Sequence, residues 1–143
     1  MENKRLFGKI CFIQRQLYRE INKDIAEQGM TPVKLQTLIF IIKSRHSGGT
    51  VCQKDIEKAL NLRPSSVSSL LKSLENEGFL IRAFQDGDAR TKYIELTEKG
   101  KELCKKNKLF MEKCDVALQS ALSEKEQDEL QKLLEKIIAN ISE

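Results

Sequence analysis

Residues 60–92 read LNLRPSSVSSLLKSLENEGFLIRAFQDGDARTK, and the reading of this stretch decides the fold. Val67, Leu70, Leu71 and Leu74 stand at i, i+3, i+4 and i+7, a single apolar stripe at the helical period. Pro64 opens the helix where a missing N–H costs nothing, and Gly78 closes it. Ser65, Ser69, Lys72 and Asn76 project from the opposite side. Between Leu62 and Leu74 the only charges are Arg63 and Lys72, so no carboxylate would repel a phosphate before Glu75. A small, polar, acid-free face on a short helix is one that a major groove can admit.

The flanking residues extend the pattern. After Gly78, Leu80, Arg82 and Phe84 alternate with Ile81 and Ala83 in strand fashion, and Lys92, Ile94 and Leu96 alternate on the way back. The tip between them, QDGDART, has hairpin chemistry, with Asp86 and Gly87 suited to positive φ. Upstream, a helix over about Gln53 to Leu60 offers Ile56, Ala59 and Leu60 to the core, with Cys52 at its N-cap and Asp55 three residues on. A short turn, Asn61 to Arg63, separates the two helices. Helix, turn, helix and hairpin in this order predict a winged helix-turn-helix.

Outside this centre the chain reads as helix. Leu6, Ile10, Ile13, Leu17, Ile21 and Ile25 are spaced by three or four, and Phe7, Cys11 and Tyr18 widen the stripe beyond what one core-facing seam needs. Thr31 and Pro32 then start a second helix to about Ser44, with Leu35, Leu38, Ile39 and Ile42 on one face and Phe40 and Ile41 beyond it. A loop from Arg45 to Thr50 follows, containing His46. Thr97 caps a long helix that includes Leu103, Phe110, Cys114, Ala117, Leu118 and Ala121. Ser123 and Glu126 form a capping box for a last helix bearing Leu130, Leu133, Leu134, Ile137, Ile138 and Ile141. The expected class is mainly α with a small β-hairpin wing.

Composition bounds the function. A chain of 143 residues with 40% hydrophobic content can bury a real core. No apolar run approaches the roughly 18 residues a spanning helix needs, and the N-terminus shows no cleavage pattern, so a soluble, cytoplasmic protein is expected. The net charge of +4 is unevenly spread: residues 50–100 hold as many acidic as basic side chains, whereas 31–49 hold Lys34, Lys43 and Arg45 with no acid. Nucleic-acid binding must therefore rest on where charges sit rather than on their total. The cysteines, Cys11, Cys52, Cys104 and Cys114, include no close pair and are read as reduced thiols. Cys104 and Cys114 lie roughly 15 Å apart along one helix, beyond the ~7 Å between alpha carbons that a disulfide tolerates.

The segment KDIEKALNLRPSSVSSLLKSLENEGFLIRAFQDGDARTKYIELTEKG resembles the core signature of the MarR family of winged helix-turn-helix transcriptional regulators. The matching pieces are the Ile56 to Leu60 helix, Val67 to Glu75, the run Gly78-Phe79-Leu80-Ile81-Arg82, Asp88 and Arg90 in the wing, and Leu96-Thr97-Glu98-Lys99-Gly100. The resemblance implies a homodimer joined by its first and last two helices, residues 1–30 and 98–143, around a DNA-binding domain at 31–97. It implies a pseudo-palindromic double-stranded operator with one recognition helix per half-site, and most often repression. By the same analogy Ser65, Ser66, Ser68, Ser69 and Lys72 face the major groove and Arg90 the adjacent minor groove. Arg63 and Lys92 join the DNA-binding set, and Asp88 orients Arg90 or its loop. Ser69 departs from the longer side chain many relatives carry there, and Arg63 from a small N-cap. A serine-rich face lacks bidentate arginine contacts to guanine, which shifts specificity toward phosphates, the wing and DNA shape.

Family members commonly release DNA on binding small phenolic or lipophilic ligands, or on thiol oxidation. Phe7, Cys11, Phe40 and Phe110 are the candidates for lining a ligand crevice, set against the plainer reading that each is core. Cys11 and Cys52 are the redox candidates: apolar neighbours would leave Cys11 inert, while Cys52 begins a helix, whose N-terminus favours anions. Enzymatic chemistry is not expected. A lone histidine builds no typical zinc site, and neither a Gly-rich phosphate loop nor a Ser/His/Asp set is recognisable, so no metal or cofactor is expected. The rival reading is a winged helix serving as a protein-binding module without DNA. Arg82 is open between a structural ion pair near the wing and a phosphate contact.

Overall fold

The computed structural model describes residues 5–27 and 29–142, with the side chains of 20–22 and 24–26 outside the described set; Ile21 and Ile25 of the first stripe fall among these. Among the described residues, six helices and one antiparallel hairpin follow in the order α1 (Leu6–Glu27), α2 (Pro32–His46), α3 (Gln53–Leu60), α4 (Pro64–Asn76), β1 (Leu80–Gln85), β2 (Asp88–Leu96), α5 (Glu98–Gln119) and α6 (Glu124–Ile141). The chain divides into two compact units, Met1–Asn107 and Lys108–Glu143. No described helix is long and apolar enough to cross a membrane.

The first unit is built on one core. Leu38 and Ile41 of α2, Ile56 of α3, Val67, Leu71 and Leu74 of α4, Phe79, Leu80 and Ile94 are almost wholly removed from water, with Val51 and Leu103 beside them. The stripe expected on α4 is the stripe that is buried. On α2 the phase differs: Leu35, Leu38 and Ile41 are buried together with Thr37, while Ile39, Phe40 and Ile42 are only partly covered. A helix apolar nearly all round gives no phase by periodicity alone, and Thr37 is accommodated because its hydroxyl donates to the Val33 carbonyl at 2.8 Å.

Several local expectations need correction. Arg45 and His46 continue α2 rather than opening a loop, and the reversal waits for Gly48 at φ +82. Cations in a last helical turn meet the negative end of the helix dipole, which favours this extension. Arg45 then reaches Glu95 of β2 at 2.7 Å. Ala59 is exposed, so α3 presents Ile56 as its buried residue, with Leu60 partly covered. At the hairpin tip Gly87 takes positive φ and Asp86 does not; among the described residues the non-glycine one in the left-handed region is Asn61, which ends α3 and turns the chain toward α4. Asparagine tolerates that conformation better than most residues.

The wing holds two features that alternation did not predict. β1 and β2 pair from Leu80 with Leu96 through Phe84 with Lys92, and the next pair is Gln85 with Asp88, so the register shifts at the Phe84/Gln85 step. Ala89, Arg90 and Thr91 fall in that step as a bulge on β2. In addition, Cys52 bridges Tyr93 antiparallel, and the Ile94 N–H donates to the Val51 carbonyl at 2.8 Å, adding a short third edge to the hairpin. Gly100, near the start of α5, lies so close to the segment leading into β1 that a Cβ would overlap the Phe79 carbonyl oxygen.

In the second unit, Ser123 caps α6 reciprocally with Glu126, and Gln127 Nε2 donates to the carbonyls of Gln119 and Leu122, closing the connection between the helices. Leu130, Leu133, Leu134, Ile137, Ile138 and Ile141 form the expected stripe on α6, and every one of them is exposed. In the first unit, α1 likewise leaves Leu6, Phe7, Ile10, Phe12 and Ile13 open to solvent.

Candidate nucleic-acid interface

The exposed side of α4 is set by its buried side. With Val67, Leu70, Leu71 and Leu74 fixed in the core, Ser65, Ser66, Ser68, Ser69 and Lys72 are all turned to solvent. Arg63 precedes them at the N-cap in an extended conformation, exposed and making no capping bond with its side chain. Gln53 Nε2 donates to the Pro64 carbonyl at 3.2 Å, fastening the start of α3 to the start of α4.

The carboxylates near the end of α4 are neutralised by cations. Glu75 Oε2 lies 3.0 Å from Arg82 Nε, and Glu77 Oε1 lies 2.7 Å from Lys34 Nζ. The hydrogen bond from Arg82 holds the Glu75 carboxyl below the usual glutamate range, and that from Lys34 does the same for Glu77. Arg82 thus makes an ion pair, one of the two roles that the sequence left open for it.

In the wing the bulge exposes Arg90. Because residues 89–91 have no partners in β1, their N–H groups need other acceptors. Asp88 Oδ1 accepts from the backbone N–H of Arg90 at 2.9 Å and of Thr91 at 3.2 Å, and the Tyr93 hydroxyl donates to Oδ2 at 3.4 Å. These bonds, the one from Arg90 first, hold the Asp88 carboxyl below its ordinary value. Asp88 thus orders the bulge through its backbone, while Lys92 places its ammonium 5.4 Å from the Phe84 ring centroid.

A groove joins the wing to the start of α3, lined by Cys52, Gln53, Lys54, Glu57, Arg82, Phe84, Arg90, Thr91, Lys92 and Ile94. Lys54, Arg90 and Lys92 are its exposed cations, with the half-buried Glu57 as the one carboxylate in the lining. The sequence reading missed Gln53, Lys54 and Phe84 as members of this surface. The signal available for the first two was their place in the first turn of the leading helix of the helix-turn-helix pair.

The ligand and redox candidates lie apart from one another in kind. Phe7 is 78% exposed on α1, and Phe40 is partly buried against the core, at the edge of a hollow with Ser44, Thr50 and Val51. Phe110 is half-buried and belongs to the second unit. Cys11 and Cys52 are half-buried, whereas Cys104 and Cys114 are buried. Burial pushes the Cys104 thiol up to about 11, and burial followed by the Asp115 charge raises that of Cys114. Cys52 N–H donates to the Asp55 carboxylate at 2.9 Å, so the start of α3 is capped by Asp55 reaching back.

Residues 28–91 match the sequence profile of the MarR family. An uncharacterized HTH-type transcriptional regulator of Bacillus subtilis (strain 168), YdcH, is 31% identical over 108 residues, spanning 76% of this chain and 74% of that protein. The chain belongs to the MarR family. Its similarity to the transcriptional repressor MprA of Escherichia coli (strain K12) runs at 26% identity over 140 residues, 96% of this chain and 78% of MprA. Among solved structures, the S. aureus MepR-DNA complex contains a chain similar to this one with a TM-score of 0.75 at 26% identity, over 95% of this chain and 97% of that one. In MarR terms α3 and α4 are the helix-turn-helix, and β1 with β2 is the wing.

Proposed function

We propose that this MarR regulator is a cytoplasmic homodimer that reads a pseudo-palindromic double-stranded operator, with α4 of each subunit in a major groove and Arg90 in the flanking minor groove. The observation that carries the reading is the pairing of an acid-free, solvent-facing α4 surface with an exposed arginine in a bulge whose backbone Asp88 has ordered. Arg63, Ser65, Ser66, Ser68, Ser69, Lys72 and Lys92 complete the contact surface, and hydroxyls that short leave much of the discrimination to DNA shape and phosphates. Two recognition helices entering successive grooves on one face need centres about 10 bp apart.

Residues 31–97 form the reading domain in this proposal, and residues 1–30 with 98–143 join the subunits. The exposed apolar residues of α1 and the unbroken exposed stripe of α6 support it, because such surfaces are seldom left in water. The protein acts as a regulator and not as an enzyme, most simply as a repressor, as MprA is named. Its DNA is released by a small lipophilic or phenolic ligand, for which Phe7, Cys11, Phe40 and Phe110 are the candidate lining residues, or by oxidation at Cys11 or Cys52.

Selection of genome fragments by the purified protein at a stated salt concentration tests the reading. Retained fragments sharing a pseudo-palindrome are expected. A protein-binding module would retain none above background, and that result would overturn the proposal.

A further inference from the structure

The segment from Glu77 to Phe79, between α4 and β1, is gripped from two directions. Lys34 Nζ of α2 lies 2.7 Å from Glu77 Oε1 with only 14% of the lysine side chain exposed, and Ser73 Oγ donates to the same oxygen at 3.1 Å. From the other side Lys99 Nζ, in the first turn of α5, donates to the Glu77 main-chain carbonyl at 2.8 Å and lies 4.4 Å from the Phe79 ring centroid. Thr97 Oγ1 donates to the Gly78 carbonyl, and the Thr97 N–H to that of Phe79 at 3.1 Å. One junction therefore ties the end of α4 to both α2 and α5, Glu77 joining α2 through its side chain and α5 through its main-chain carbonyl.

The chemistry of the pair fits a fastener better than a stabiliser. Glu77 Oε2 is buried with no hydrogen-bond partner among the described residues, a state that costs free energy. Ion pairs near a surface return little stability. What the arrangement does supply is geometry. A lysine stem largely enclosed by protein and a serine on the same carboxylate oxygen leave Glu77 little freedom, and the two partners lie 43 residues apart in sequence. The other end of α4 is fastened by the Gln53 bond to Pro64.

We propose that Glu77, held by Lys34, is a positioning residue for DNA recognition: its side chain fixes the end of α4 against α2, its main-chain carbonyl meets Lys99 of α5, and the angle of α4 so set fixes the half-site spacing that the dimer accepts. This inference rests on the homodimeric, DNA-reading function proposed above. Glu77 touches no base; it acts through the helix that does.

The test uses full-length dimer and a set of duplexes in which the selected half-sites are placed at spacings around 10 bp. The wild type is compared with Glu77→Gln, Lys34→Met and the charge swap Lys34→Glu with Glu77→Lys, each with its melting temperature. The wild type should prefer one spacing. Each single variant should bind roughly tenfold more weakly there, the scale of one charge-assisted hydrogen bond, and change little at neighbouring spacings, so that the profile flattens. The charge swap should restore the peak. An unchanged profile, or a loss equal at all spacings that follows the melting temperature, overturns the proposal. A wild type that binds no duplex at any spacing would instead remove the DNA-reading function beneath it.

Discussion

Arg82 Nε of β1 lies 3.0 Å from Glu75 Oε2 in the last turn of α4, joining the wing to that helix by one ion pair. The pair is partly exposed, so Arg82→Met should cost only ~0.2–1 kcal/mol of stability. The sign with pH follows from Glu75, whose carboxyl the Arg82 hydrogen bond lowers. A lowered carboxyl contributes stability that is present above its unfolded value and lost as pH falls through the folded one. Urea midpoints of wild type and Arg82→Met should therefore differ at neutral pH and converge in acid, below the ordinary glutamate value. A gap that widens in acid would contradict the pairing.

Arg90→Ala should weaken operator binding by about 1 to 3 kcal/mol, the scale of one specific contact, with an unchanged melting temperature. Asp88→Ala should also weaken it, although its carboxylate faces the bulge backbone. Fluorescence anisotropy with a labelled operator measures both. The lowered Asp88 carboxyl further predicts that the Arg90 and Thr91 amide resonances hold their positions as pH falls through the usual aspartate range and move only below it. Movement within the ordinary range would mean that the backbone bonds are not made in solution.

If each subunit neutralises about three phosphates, log affinity against log salt should fall with a slope of roughly −5. Lys72→Ala or Lys92→Ala takes one cation from each subunit, a pair from the dimer. Either substitution should make the slope shallower by about 1.8, at −0.9 per phosphate. Binding titrations repeated across a salt series measure the change. An affinity indifferent to salt would be incompatible with a phosphate-led interface.

The buried Cys104 thiol, pushed up to about 11, should stay unlabelled by iodoacetamide in the native protein at neutral pH, while half-buried Cys52 reacts first. Mass spectrometry of tryptic peptides reads this directly. Both should label in denaturant. Fast native labelling of Cys104 would show that the core around Leu103 opens.

How much of this was legible in the sequence varied with the range of the interaction. The α4 stripe, the Thr97 and Ser123 caps and the hairpin order are local, and each depends on residues within about one or two helical turns or one strand pair. The phase of α2 was hidden because apolar residues surround it. The bulge was hidden because QDGDART suits a plain hairpin equally well, and the shift shows only in which residues face each other. The edge contributed by Val51 and Cys52, and the bond of Lys34 to Glu77, join residues about forty apart, where spacing carries no information. The solvent-facing serines of α4 and a part for Asp88 in orienting the Arg90 loop could be read from the sequence, but that Asp88 does so by accepting backbone N–H bonds required coordinates.

The bulge makes two properties of the hairpin independent. Arg82 still faces Ile94 and Leu80 still faces Leu96, while the N–H groups of Arg90 and Thr91 bond to a carboxylate instead of a strand. Residues can thus be added beside Arg90 without sliding the apolar pairs out of register. Each insertion would lengthen the excursion by at most ~3.3 Å, so the wing is adjustable in reach at constant packing, and hairpins of this design can differ in length while keeping one core.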